Sequence, residues 1–376
     1  MTPRQPVLVA GGGPAAIEAL LALRELAGAA VALELLTPDP LLVVKAYEVL
    51  SPFHEGTEHR YPIARISADL DVPVVRDSLA AVDPGERTVT LHSGAVRRYG
   101  TLIVAVGARQ VGTIVGAIPF RGAQDAAKVK ALLNESHAGR HRRIAFVVPG
   151  GHTWPLPLYE LALHTSVWLD ERGISGVPLA LVSPEPQPLA SFGSPVSSEV
   201  ATMLEHAQIE FVSARPIRHE PGRLLLAGGG ALEADLAVAM VRLEGPRIRG
   251  LPSDDDGFVP VDELGRVEGV DGVFAAGDAT TFPLKQGGLA TQQADAIAEQ
   301  IASELGAAAP PASGFRPVLR AVLFGGREKR YFQAELGEAL HESSVASEDP
   351  LWPESSKVVG RYLAPYLDSL DEVADP

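Results

Sequence analysis

The chain has 376 residues, 46% of them hydrophobic and 21% charged, with a formal net charge of -15 and 0 cysteines. That length predicts two to three domains with large buried cores. The acidity excludes a phosphate-backbone partner such as nucleic acid and a basic membrane-surface face, and the missing thiols exclude disulfides, thiolate metal sites and a redox-active dithiol. No run reaches the roughly 18 to 20 apolar residues of a transmembrane segment, and the charged start passes at once into an apolar strand, so a cytoplasmic protein is expected. His137 and His141 stand four apart in a polar connector without companions, and no metal site is expected there.

Val7-Leu8-Val9-Ala10 reads as a strand that runs into Gly11-Gly12-Gly13-Pro14-Ala15-Ala16 and then into good helix formers up to Leu26. Gly11 permits the tight turn, Gly13 lets the backbone approach a pyrophosphate, and Ala16 lets helix and strand pack closely. Pro14 and Ala15 open a helix whose free N–H groups and positive end hold the phosphate. The next strand, Val31 to Leu36, ends at Thr37-Pro38-Asp39-Pro40. An acidic ribose ligand belongs about 20 residues beyond the glycines. Thr37 stands there instead, which leaves the contact to its hydroxyl or to Asp39. A further apolar strand from Tyr99 ends at Gly107.

The chain then repeats itself. Leu179-Ala180-Leu181-Val182-Ser183-Pro184-Glu185-Pro186 echoes Leu33 to Pro40, and each echo follows a strand, a Gly-Gly turn and a helix. In the second copy these are Ile144 to Val148, Gly150-Gly151 and Leu158 to Glu171, so two nucleotide-binding-type domains are expected. The second phosphate loop, Pro149 to Pro157, has lost the glycine spacing. Trp154 fills the approach, and Pro155 and Pro157 lack N–H donors. Ser183, at the ribose position, is neither a carboxylate nor an arginine, so no standard nicotinamide site is expected. Trp154 reads either as a core aromatic or, with Tyr159, as the wall of a substrate pocket.

Near the far end, Val273-Phe274-Ala275-Ala276-Gly277-Asp278 is a strand, a small turn and a carboxylate suited to a flavin's sugar-alcohol chain. Lys285-Gln286-Gly287-Gly288 and a helix from Leu289 to Leu305 follow.

Taken in this order, the motifs resemble the two-dinucleotide-binding-domain flavoproteins of the pyridine nucleotide-disulfide oxidoreductase family. Within it the chain looks closest to the sulfide:quinone-oxidoreductase-like branch. The resemblance covers roughly residues 5 to 310, and the tail from Leu351 to Leu367 is also similar. It implies FAD, with Gly11, Gly13 and Ala16 in the pyrophosphate loop, Gly107 beside the cofactor and Asp278 on the ribityl chain. By position, the helix start after Lys285, with Gly288, resembles the one that faces the flavin's pyrimidine edge. A helix N-terminus and a lysine suit the negative charge of a reduced flavin, and Lys285 and Lys357 are the candidates. Relatives bring the segment holding Tyr47 and His54 past the flavin, where either could act on a proton. The cysteine pair that sulfide-oxidising and disulfide-reducing relatives use is absent.

The expected fold is α/β, with two Rossmann-like domains in a glutathione-reductase-type arrangement. The FAD domain takes residues 1–110 and 250–310, a degenerate second domain takes 111–249, and 311–376 form a C-terminal interface segment. The expected function is an FAD oxidoreductase moving two electrons between an unidentified donor and an acceptor such as a quinone or another protein, without a cysteine. An NAD(P)H-dependent reductase and a non-catalytic flavin sensor are the alternatives. A homodimer is one assembly this reading leaves open.

Overall fold

The computed structural model describes residues 4–53, 59–137, 143–311, 313–337, 343–353 and 356–374. Its first sheet is all parallel, in the order Val273–Ala275, Thr101–Val104, Gln5–Ala10, Val31–Leu36, Val74–Val75. Strand Gln5–Ala10 lies at its centre, with Val7 registered against Thr101 on one side and Leu33 on the other. Residues 7–10 are buried on both faces, which is why they read as an unbroken apolar run. Val7 and Val9 face helices Pro14–Ala27 and Gly287–Glu304. Those two helices pack together through small residues, among them Ala15, Ala19, Ala290 and Ala294. Leu8 and Ala10 face the other way, onto the antiparallel meander Leu79–Asp83, Thr88–Leu91, Val96–Arg98.

The second sheet repeats this plan in the order Ile118–Phe120, Leu236–Met240, Ile144–Val147, Leu179–Ser183, Ile209–Ser213, again all parallel. It too has its own meander, Pro216–Glu220, Arg223–Leu226 and Ala231–Glu233. Its helix begins at Leu156, two residues earlier than the sequence suggests, with Pro157 inside the first turn. Proline is tolerated there because that N–H has no helical partner to lose. The two sheets differ in one connection. The outermost strand of the second precedes its unit in the chain, whereas that of the first arrives after the whole second unit has been made.

The C-terminal segment forms the antiparallel sheet Val318–Phe324, Lys329–Glu335, Ser343–Ser347 and the helix Leu363–Ala374. One face of this sheet, with Leu319, Leu323 and Phe332, joins the core of the second unit. Arg330 pins it there through Glu199 of helix Ser194–His206 at 2.7 Å. Among the described residues no helix is long and apolar enough to cross a membrane.

Candidate functional site

Stretches far apart in sequence converge on one cavity of ≈ 620 Å³. The first glycine loop supplies Gly12, Gly13, Pro14 and Ala15. Gly11 lies just behind, at φ 135°, where a Cβ would sit 2.1 Å from the Ala105 carbonyl oxygen. Only glycine fits where the ends of two neighbouring strands come this close. Gly13 is the opposite case, since a Cβ there would meet nothing within 4 Å. The helix that follows has no side-chain cap and no acidic residue in its first turn, so its positive end is left for an anion.

Thr37 and Asp39 part company. Thr37 is buried beneath Gly12, whose Cβ would meet the Thr37 hydroxyl at 2.4 Å, and it does not line the cavity. Asp39 is exposed and does line it. Pro38 and Gly288 stay outside the lining, as does Ala16, which is core. Gly107, Gly277, Asp278, Lys285 and Gln286 are in it. Gln286 caps the helix Gly287–Glu304 by accepting from the Leu289 N–H at 2.8 Å, and Gly287 lines the wall beside it.

Electrostatics sharpen this end of the cavity. Burial raises the Asp278 carboxyl above the usual range, while Lys285 and then Lys45 pull it back. Burial pushes Lys285 down to about 8, with Asp278 and Asp254 opposing. The Lys285 ammonium donates to the Thr280 carbonyl and lies 3.7 Å from the Phe258 ring centroid. A negative charge arriving in this cavity would raise the lysine's proton affinity.

A second charged pair, the expected Lys357 with an acid that the sequence reading missed, sits in the same wall. Glu160, on helix Leu156–Glu171, is fully buried, as is Lys357 but for a few percent. Lys357 Nζ donates to Glu160 Oε1 at 2.5 Å and to the Ala46 carbonyl at 3.2 Å, and stands 4.0 Å from the Phe324 ring centroid. Oε1 also accepts the Phe324 N–H at 2.8 Å, whereas Oε2 is buried with no hydrogen-bond partner. Burial raises Glu160 and lowers Lys357, and the attraction between them opposes both shifts. Such a pair can hold its proton on either partner.

The remaining candidates fall elsewhere. Tyr47 stacks on His59 at 3.8 Å and accepts the Lys357 N–H at 3.0 Å, so it lies behind the wall rather than in it. His54 lies outside the described residues. Trp154 lines the cavity and leans on Phe192 at 5.9 Å. Tyr159 is not a pocket wall: it is buried in the core, and its hydroxyl donates to Glu185 Oε2 at 2.9 Å. Ser183 donates to the same oxygen at 2.9 Å, and the Ala190 N–H reaches Oε1 at 3.0 Å. Both oxygens of the acid nearest the second ribose position are therefore engaged inside the chain.

The profile of the pyridine nucleotide-disulphide oxidoreductases matches residues 5–298. Apoptosis-inducing factor 3 of Mus musculus is 28% identical over 55% of this chain and 34% of its own length. The chloroplastic/mitochondrial monodehydroascorbate reductase of Arabidopsis thaliana is 27% identical over 56% of this chain and 43% of its own. These matches thus span less than half of either curated relative. Among solved structures, the sulfide:quinone oxidoreductase of Aquifex aeolicus superposes with a TM-score of 0.81 over 98% of this chain and 90% of that one, at 18% identity. The ferredoxin reductase for the CYP199A2 system of Rhodopseudomonas palustris gives 0.67 over 89% and 83%, at 19% identity. Both are likenesses of fold. The residues present fit FAD: an open cradle at Gly13 before an uncapped helix end, a carboxylate at 278, and a capped helix start with a lysine beyond it.

Proposed function

The chain belongs to the pyridine nucleotide-disulphide oxidoreductase family and is an FAD-dependent oxidoreductase, and from that premise we propose that its reduced cofactor passes two electrons to an acceptor of the quinone or redox-protein kind, with the Glu160–Lys357 pair handling the accompanying proton and with neither a nicotinamide cofactor nor a thiol of this chain as partner. The carrying observation is that pair, buried in the wall that also holds the flavin motifs, with one carboxylate oxygen unpartnered. Residues 1–110 with 250–310 act as the flavin unit, 111–249 as a second unit without a cofactor, and 311–376 as the segment that delivers Lys357.

Bound FAD supplies a two-electron carrier. Gly13, Ala15 and the helix end behind them would receive its pyrophosphate, and Asp278 would accept from its sugar hydroxyls. Lys285 and the start of helix Gly287–Glu304 would balance negative charge at the other end. A quinone takes up two electrons and two protons. Two electrons delivered as a hydride bring one proton with them, and the Glu160–Lys357 pair would supply the other. The apolar wall of Phe120, Trp154, Met240, Val241 and Leu243 suits a flat aromatic acceptor. Against nicotinamide stand the prolines of the second loop, its lost glycine spacing and the engaged Glu185.

Stopped-flow mixing under argon tests both halves. Dithionite-reduced protein should be reoxidised by a soluble quinone, and Glu160→Gln should slow this by about 10²–10⁴, the usual contribution of a proton-transfer group. An unchanged rate in that variant removes the pair from the mechanism. NADH and NADPH should leave the oxidised flavin band in place. Saturable bleaching at about 1 per second or faster, an ordinary enzymatic rate, would put a nicotinamide donor first.

A further inference from the structure

Lys357 reaches the cavity from a stretch, 356–362, that belongs to no helix or strand. Its position is therefore set by what ties that strap down. The Thr291 hydroxyl donates to the Val359 carbonyl at 3.2 Å, and the strap then enters the helix Leu363–Ala374. There both oxygens of one buried acid, Glu18, accept backbone N–H groups: Tyr362 at 2.8 Å and Leu363 at 2.6 Å. Gly360 runs so close that a Cβ would sit 2.5 Å from Glu18 Oε2. Glu18 projects from the first helix, Pro14–Ala27, one turn beyond the end that faces the cavity.

Beside it, on helix Gly287–Glu304, stands the carboxyl of Asp295, whose Oδ1 is buried with no hydrogen-bond partner and whose proton affinity Glu18 raises. Two buried acids side by side are compatible only if one keeps its proton. We infer that Glu18 and Asp295 are positioning residues for Lys357: together they form a one-proton clamp that holds the 356–363 strap so that its lysine stays against Glu160 in the flavin cavity. The inference rests on the reading that Lys357 works at the flavin.

The charged groups facing the clamp are Arg361, ion-paired with Glu299 at 3.1 Å, and Glu299 itself. Burial first, then Glu18 and Glu299, push Asp295 up to about 9, with Arg361 opposing. Below that pH the clamp carries one negative charge, which suits the N-terminal N–H groups it caps. Above it a second negative charge enters the same site and the acids repel. The folded state thus binds a proton that the unfolded chain gives up near pH 4. The clamp's contribution to stability is complete below that point and is lost as pH climbs toward about 9.

The test compares Glu18→Gln, Asp295→Asn, Gly360→Ala and Lys357→Met, by hydrogen exchange of amides 357–363 with and without FAD and by the flavin midpoint potential against pH. Glu18→Gln should speed exchange in the strap at least tenfold and move the potential in the same direction as Lys357→Met. Gly360→Ala alters no charge but crowds Glu18, so it should do the same even where Glu18→Gln fails to fold. Asp295→Asn should match the parent at pH 7 and erase a break in the parent's potential near pH 9. A potential that responds to Lys357→Met yet not to Glu18→Gln or Gly360→Ala overturns the clamp and leaves the reading of Lys357 intact. A potential indifferent to Lys357→Met removes both.

Discussion

The two nucleotide-type units share strand order, meander and helix placement, yet they treat the same corner of the fold in opposite ways. In the first, the strand-to-helix loop is held back: Gly13 leaves open space, Thr37 tucks under Gly12, and Asp39 stays free at the rim. In the second, the loop sends Trp154 into the wall of the cavity built on the first unit, and Glu185 folds inward to bind Tyr159, Ser183 and the Ala190 N–H. The same scaffold makes a dinucleotide cradle or a closed polar network. The difference lies in which side chains the loop sends inward.

The largest test of that contrast is Gly13→Val set against Gly151→Asn. A branched side chain at Gly13 meets no protein atom, so what it takes is the room left for a phosphate. FAD retention should fall at least tenfold in the first variant and stay at the parent level in the second, measured by titrating apoprotein with FAD. Equal retention in both would mean that the cradle is elsewhere. Asp278→Ala comes next. Losing a charged acceptor for a sugar hydroxyl should weaken FAD by about 1.5–3 kcal/mol, seen in the same titration, with the fold's melting curve little changed. The smallest effect belongs to Trp154→Ala. Opening the approach while Glu185 stays engaged should alter flavin bleaching by NADH less than about threefold, well below an ordinary enzymatic rate of about 1 per second. A larger gain would assign the whole block to the indole.

Much of this was legible in the sequence because it rests on local rules. A strand buried on both faces must be apolar throughout, and a loop that lets two backbones meet must be glycine, so Val7 to Gly13 and the 273–278 segment announce themselves. The choice between Thr37 and Asp39 was not legible, since it depends on the closeness of Gly12. Glu160 and Glu18 were missed for another reason. Each is a lone acid in an apolar helical run, Leu158 to Leu163 and Ala15 to Leu21, and that isolation was the available signal. What makes each acid meaningful lies far along the chain: Lys357 is 197 residues from Glu160, and Leu363 is 345 from Glu18.

The late arrival of strand Val273–Ala275 has a consequence for biosynthesis. Until it pairs with Thr101–Val104, the first sheet ends on a fully buried-type strand whose N–H and C=O groups have no neighbour on that side. A ribosome adding about 5–20 residues per second needs roughly ten to thirty seconds to bridge that gap. During that interval the second unit can already close, because all five of its strands have emerged. The first unit cannot. Nascent chains stalled within this window should be the ones that aggregate or engage chaperones, and FAD at the proposed site, a cavity lined also from 276–290 and 357–358, should rescue only chains that have passed it.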